Sequence, residues 1–128
     1  MAIEALGDRV IRVGMIGAGT ISRSHARCLL ACENVDLAAC CDIALEAVEQ
    51  FVGEFDVRRS FTDYRELIQE DLDAVVVATP PFAHKYLVIG ALEAGKHVLC
   101  EKPFAMNARE AAAMADAARY TGLGLAVC

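Results

Sequence analysis

Three short segments of the chain carry residues suited to chemistry: Gly17-Ala18-Gly19-Thr20-Ile21-Ser22, then Cys41-Asp42, then Glu101-Lys102-Pro103. In the first, Gly17 permits a tight turn and Gly19, lacking a side chain, lets a phosphate approach the backbone. The N–H groups of Thr20, Ile21 and Ser22 would face that phosphate at a helix N-terminus, where the dipole favours negative charge. Ser22 stands where such turns carry a third glycine. A small residue suffices there for helix–strand packing, and its hydroxyl would either reach a phosphate or bond back to its own helix. Asp42 follows by roughly 20 residues, the spacing of an acid that accepts hydrogen bonds from a ribose diol. Lys102 is of a type that can hydrogen-bond a substrate hydroxyl and help move its proton, with Glu101 placed to pair with it and hold it. Pro103 follows as an X–Pro bond, the kind that adopts cis readily. Each segment also has a plainer reading: an unliganded turn, a helix cap at Asp42, a surface turn at 101–103. Their order along one chain favours the dinucleotide reading.

The segments that carry these residues alternate between strand and helix. Val10 to Ile16 is a β-branched run ending at the glycine turn, and Thr20 to Ala31 has helical apolar spacing. Val35 to Cys41 is a second strand, Ala44 to Val52 a helix ending near Gly53, and Val57 to Phe61 a short strand expected at the sheet edge. Asp63 and Glu66 open a helix through Glu70 as a capping box. Ala74 to Ala78 is continuously apolar, the pattern of a strand buried on both faces. Thr79-Pro80-Pro81 breaks it and would line the nicotinamide side of a cleft, unless the prolines only start the next helix. That helix runs to Ala94, with Gly95 at its end. His84 lies in its first turn: near a site it would contact ribose or substrate, while a lone histidine is more often structural, as His25 and His97 read. His97 to Cys100 is strand five, Asn107 and Glu110 cap another helix ending at Gly122, and Leu123 to Val127 is strand six. The fold class is therefore α/β: a doubly wound, parallel six-stranded sheet of order 3-2-1-4-5-6, with its crevice at the carboxyl ends of strands one and four. The candidate cofactor residues are Gly17, Gly19, Thr20, Ile21, Asp42, Thr79, Pro80, His84, Glu101 and Lys102, with Lys102 also the candidate catalytic group.

The cofactor expected is NAD in preference to NADP. A carboxylate at Asp42 would repel a 2′-phosphate, and Ile43-Ala44 supply no arginine to receive one. A chain of 128 residues fits one domain, here 1–128. Its net charge of −6 argues against nucleic acid or an anionic membrane as partner. The charged start, Glu4, Asp8 and Arg9, is unlike a signal peptide, and the longest apolar run is far too short to span a bilayer. Six cysteines without a Cys-x-x-Cys, and histidines that complete no zinc spacing, read as free thiols in a cytoplasmic protein, with no metal site expected.

At this point the chain resembles a known family, the glucose–fructose oxidoreductase, inositol dehydrogenase and rhizopine-catabolism (Gfo/Idh/MocA) oxidoreductases. The resemblance runs from Val13-Gly14-Met15-Ile16-Gly17-Ala18-Gly19 through Ala39-Cys40-Cys41-Asp42, Phe61-Thr62-Asp63-Tyr64 and Asp73-Ala74-Val75-Val76-Val77-Ala78-Thr79-Pro80. Its most specific stretch is Gly95-Lys96-His97-Val98 followed by Glu101-Lys102-Pro103. The resemblance implies a Rossmann domain, NAD or NADP, and oxidation or reduction of a hydroxyl-bearing carbon on a sugar, inositol or related polyol. It implies that Lys102 contacts substrate and is catalytic. It also implies a second α/β domain, absent here, that supplies the catalytic His and Asp, most of the substrate pocket and the usual oligomer interface. A homo-oligomer stays open, since apolar surface meant for that domain would be exposed. By itself this chain is expected to bind cofactor without useful turnover. The competing readings are a non-catalytic NAD-binding scaffold module, which has no need of Lys102, and a methyl transferase on a similar sheet, disfavoured by the segments at 79–81 and 101–103.

Overall fold

The computed structural model describes residues 8–128, so the reading of Glu4 lies outside the described residues. Six strands, β1 (Ile11–Ile16), β2 (Val35–Cys41), β3 (Arg59–Phe61), β4 (Ala74–Val77), β5 (His97–Cys100) and β6 (Leu125–Val127), form one sheet. Its order is β3-β2-β1-β4-β5-β6 and every pairing is parallel. The helices are α1 (Thr20–Leu30), α2 (Leu45–Phe55), α3 (Tyr64–Leu67), α4 (His84–Glu93) and α5 (Ala108–Thr121). The expected class, strand count and order hold.

The two faces of the sheet carry separate cores because side chains alternate along each strand. On one face Val13, Met15, Leu37, Cys40 and Val76 pack against Ala26 of α1 and Val48 and Phe51 of α2. On the other Ile16, Val75 and Val77 pack against Leu67 of α3, Val88 and Ala91 of α4 and Met114 of α5. Val75, Val76 and Val77 are buried to 3% exposure or less, as an apolar run covered on both faces requires.

Element ends differ from expectation where a local signal was weaker than the helix around it. Gly53 does not stop α2; the helix runs to Phe55 and ends at Asp56, which adopts the left-handed conformation (φ 53°). At α3 the Asp63 carboxylate accepts from the Arg65 amide, and the helix closes after one turn instead of continuing to Glu70. The segment after Pro80 starts as a 3₁₀ turn, Pro81–Ala83, before α4. β3 and β6 are shorter than read, and β3 lies at the sheet edge as expected. Asn107 caps α5, its Oδ1 accepting from the Glu110 amide at 2.9 Å.

Phe61, Cys41, Ile16, Val77, Cys100 and Val127 are cross-strand partners in a single row. The ladder continues one residue further, with amides of Asp42, Gly17, Ala78, Glu101 and Cys128 donating to carbonyls of Phe61, Cys41, Ile16, Val77 and Cys100. All the segments singled out in the sequence therefore emerge on one edge, at one height.

Candidate functional site

At the carboxyl edge, between β1 and β4, lies a cleft of about 480 Å³. Gly17, Gly19, Asp42, Thr79 and Pro80 line it, together with Ile43, Tyr64, Phe82 and Tyr86. The volume is in the range of cofactor pockets.

The two glycines answer to different constraints. Gly17 has φ 104°, and a Cβ there would stand 2.3 Å from the Ala78 carbonyl oxygen. The β1 turn and the start of the β4 loop thus approach so closely that only glycine fits. Above Gly19 the space is open, with nothing within 4 Å of the position a Cβ would take. Gly19 is also the N-cap of α1, with no side-chain cap and no acid in the first turn. The first-turn N–H groups of a helix have no partners within it. An anion seated above Gly19 would find donors, a favourable dipole and room, so the residues present fit a dinucleotide pyrophosphate. Arg23 adds a cation beside this turn: it donates to the Ala18 carbonyl at 3.2 Å and pairs with Glu54 at 2.7 Å.

Asp42 joins the acid of β2 to the glycine turn. Oδ2 accepts from the Ala18 amide and Oδ1 from the Ala44 amide, both at 2.9 Å. Asp42 does not cap α2, whose N-cap is Ala44 without a side-chain cap bond; its carboxylate instead ties the β2 loop to the glycine turn in the cleft wall. Each carboxylate oxygen has two lone pairs, so capacity remains for ribose hydroxyls.

The remaining expected residues do not line the cleft. Thr20 and Ile21 sit at the start of α1, both exposed. His84 is fully buried. Its Nδ1 faces the Phe104 carbonyl at 3.0 Å and its Nε2 the Thr79 carbonyl at 2.8 Å. It lies beneath the surface as a clamp between the β4 loop and the segment after Pro103. Ser22 departs from both of its readings: its hydroxyl is fully buried and has no hydrogen-bond partner, neither phosphate-facing nor bonded to its helix.

Glu101 and Lys102 begin the segment after β5, and the Lys102–Pro103 peptide is cis. Glu101 is 8% exposed and does not hold the lysine ammonium. Its Oε1 meets Nε2 of His25 at 2.7 Å and its Oε2 accepts from the Lys102 amide at 3.0 Å. Burial acts to raise its pKa, but the His25 hydrogen bond, the Lys102 amide and the nearby charges outweigh burial and hold it below the usual carboxylate value. His25, read from sequence as merely structural, is therefore the residue that seats Glu101, and through it the backbone of the exposed Lys102. No spacing rule could find this pair, which lies far apart in the chain. The apolar lining residues Ile43, Phe82 and Tyr86 were also missed. Their signal is 95%, 66% and 51% exposure, unusual for large apolar side chains and visible only once folded.

Burial pushes Cys40 up to about 11 and Cys41 and Cys100 to about 12, with neighbouring carboxylates adding to it. Thiols this protonated are poor nucleophiles and ligands.

Comparison with known proteins gives a consistent result. Residues 11–128 match the model of an oxidoreductase family described by its NAD-binding Rossmann fold. The glucose-6-phosphate 3-dehydrogenase of Bacillus subtilis is 42% identical over 107 residues, 84% of this chain and 30% of that protein. The NADP(+) scyllo-inositol 2-dehydrogenase of the same organism is 33% identical over 117 residues, 91% of this chain and 36% of its own. Among solved structures, the WlbA dehydrogenase of Bordetella pertussis, in complex with NADH and UDP-GlcNAcA, superimposes with a TM-score of 0.90 at 32% identity, covering 94% of this chain and 35% of that one. The chain spans about a third of the length of the relatives it matches.

Proposed function

The chain belongs to this oxidoreductase family, and from that premise we propose that residues 1–128 are the cofactor-binding domain of a dehydrogenase acting on a hydroxyl-bearing carbon of a sugar, inositol or related polyol. The observation that carries the reading is the junction of Asp42, the Ala18 amide and the glycine turn in one cleft wall. It joins the acid and the anion-binding helix end that a dinucleotide needs at once. The substrate class rests on the names of the relatives. A further domain in the full-length protein would complete the substrate pocket, in keeping with relatives about three times as long.

A bound nicotinamide dinucleotide supplies the hydride acceptor or donor. The first-turn amides of α1 would hold its pyrophosphate, with Gly19 leaving room, and Asp42 would accept from its adenosine ribose. Ile43, Phe82 and Tyr86 give an apolar wall suited to a planar base. Lys102, carried on backbone held by Glu101, hydrogen-bonds the substrate hydroxyl and moves its proton. Turnover would need a second wall that excludes water and orients the substrate against the cofactor.

The preferred cofactor is NAD, because the Asp42 carboxylate opposes a 2′-phosphate. One relative uses NADP(+), so the preference is a property of this chain's own residues. No helix among the described residues is long and apolar enough to cross a membrane. All six cysteines are free, three of them in the core, which supports a reducing cytoplasmic setting. Calorimetric titration with NAD and NADP tests the reading. Clear NAD binding with weaker NADP binding is expected; a folded sample that binds neither overturns it.

A further inference from the structure

We propose that His25, Glu101 and Cys128 form a binding site for a divalent ion of borderline softness, zinc in the first instance. The three residues come from α1, the end of β5 and the end of β6, and the sequence reading expected no metal site. Nε2 of His25, a carboxylate oxygen of Glu101 and Sγ of Cys128 all lie within 4.8 Å of one another.

The fold accounts for the convergence. The Cys128 amide continues the ladder by donating to the Cys100 carbonyl at 2.9 Å, so Cys128 stands beside Glu101 across the edge. Residues directly across a ladder share a face of the sheet. Cys100 packs into the core beneath α4 and α5, so its successor Glu101 projects to the α1 side, where His25 meets it. Glu101 is buried and the His25 side chain only 15% exposed, while Cys128 is exposed and free. Two donors are thus held by the fold, with the free thiol of the third beside them.

The donor set selects the metal class. Nitrogen, oxygen and thiolate together suit zinc and its neighbours, whereas magnesium and calcium prefer oxygen alone. Zinc bonds of about 2.0–2.3 Å place tetrahedral donors roughly 3.3–3.7 Å apart. His25 and Glu101 stand at 2.7 Å and all three donors within 4.8 Å, so an ion would replace the His25–Glu101 hydrogen bond and take up the thiol beside it. Three protein donors leave a fourth position for water. The other oxygen of Glu101 keeps the Lys102 amide, so the ion would sit one peptide from Lys102. The inference stands independently of cofactor binding.

The test is titration with zinc chloride, under a non-chelating reductant, of a Cys28→Ser/Cys32→Ser chain. That background removes the other exposed thiols, which could bind zinc by themselves. One equivalent is expected. Affinity should fall at least tenfold on adding Cys128→Ser, and likewise with His25→Gln where its melting curve shows a folded chain. Cobalt(II) in place of zinc should give a thiolate charge-transfer band that Cys128→Ser abolishes, a readout that needs no histidine variant. No uptake by the background chain, or uptake indifferent to Cys128→Ser, overturns the proposal.

Discussion

Replacing Asp42 with alanine separates its two duties. Its carboxylate accepts from the Ala18 and Ala44 amides at 2.9 Å. The Ala44 amide is at the surface and water can take over, but Ala18 is 1% exposed. Leaving that one donor unpaired costs roughly 1–3 kcal/mol, so the unliganded variant should melt lower but still fold. For the cofactor, a hydrogen bond from a ribose hydroxyl to a charged acceptor is worth roughly 1.5–3 kcal/mol, which converts to a loss of about 10- to 100-fold in NAD affinity. NADP should respond differently, since the variant also removes repulsion of its 2′-phosphate; its affinity should hold or rise. Calorimetry with both cofactors at one salt concentration, alongside a melting curve without ligand, reads all three quantities. If NAD and NADP weaken by the same factor, Asp42 acts only by shaping the turn, and the argument that it reads the ribose is refuted.

The glycines should behave oppositely. Gly17→Ala meets a backbone oxygen at 2.3 Å from a left-handed backbone and should lose at least about 3 kcal/mol of stability in denaturant titration. Gly19→Ala enters open space and should unfold like the parent while binding NAD poorly; normal NAD binding would contradict the placement of the pyrophosphate. Ser22→Ala removes a buried hydroxyl without a partner and should gain about 1 kcal/mol, roughly 3–5 °C in Tm, with NAD affinity unchanged. A lower Tm or weaker NAD binding would show that the hydroxyl has a partner after all. Glu101 titrates below its ordinary value of 4.5 in the folded chain. Its contribution is therefore complete above that value and is lost as pH falls through the lower folded one. Acid unfolding of Glu101→Gln should lack this component below pH 4.5, and an acid transition identical to the parent's would count against the His25–Glu101 pairing.

Much of the fold was legible because its signals are local. Four apolar runs end at glycine, proline or a charge, and helical spacing such as that of α1 and α5 separates strands, so alternation and sheet order follow from chain connectivity and handedness. The turn, its acid and the lysine segment were legible for the same reason: backbone geometry at a strand end demands small residues, and a cleft edge admits charge. Helix ends were less legible, since Gly53 and the Asp63 cap compete with packing that propensity does not describe. What tertiary structure alone decided were relations between distant residues. Register put Asp42, Gly17, Ala78, Glu101 and Cys128 at one height. It set His25 against Glu101, though the lysine was its nearer neighbour in sequence. It buried His84 between two carbonyls and left the Ser22 hydroxyl with no partner, where residue type alone left each open between a ligand contact and a structural bond. A residue's type and neighbours specify what it can bond. Which partner it meets depends on the pleat of the sheet and the helix packed over it, and these exist only in the folded chain.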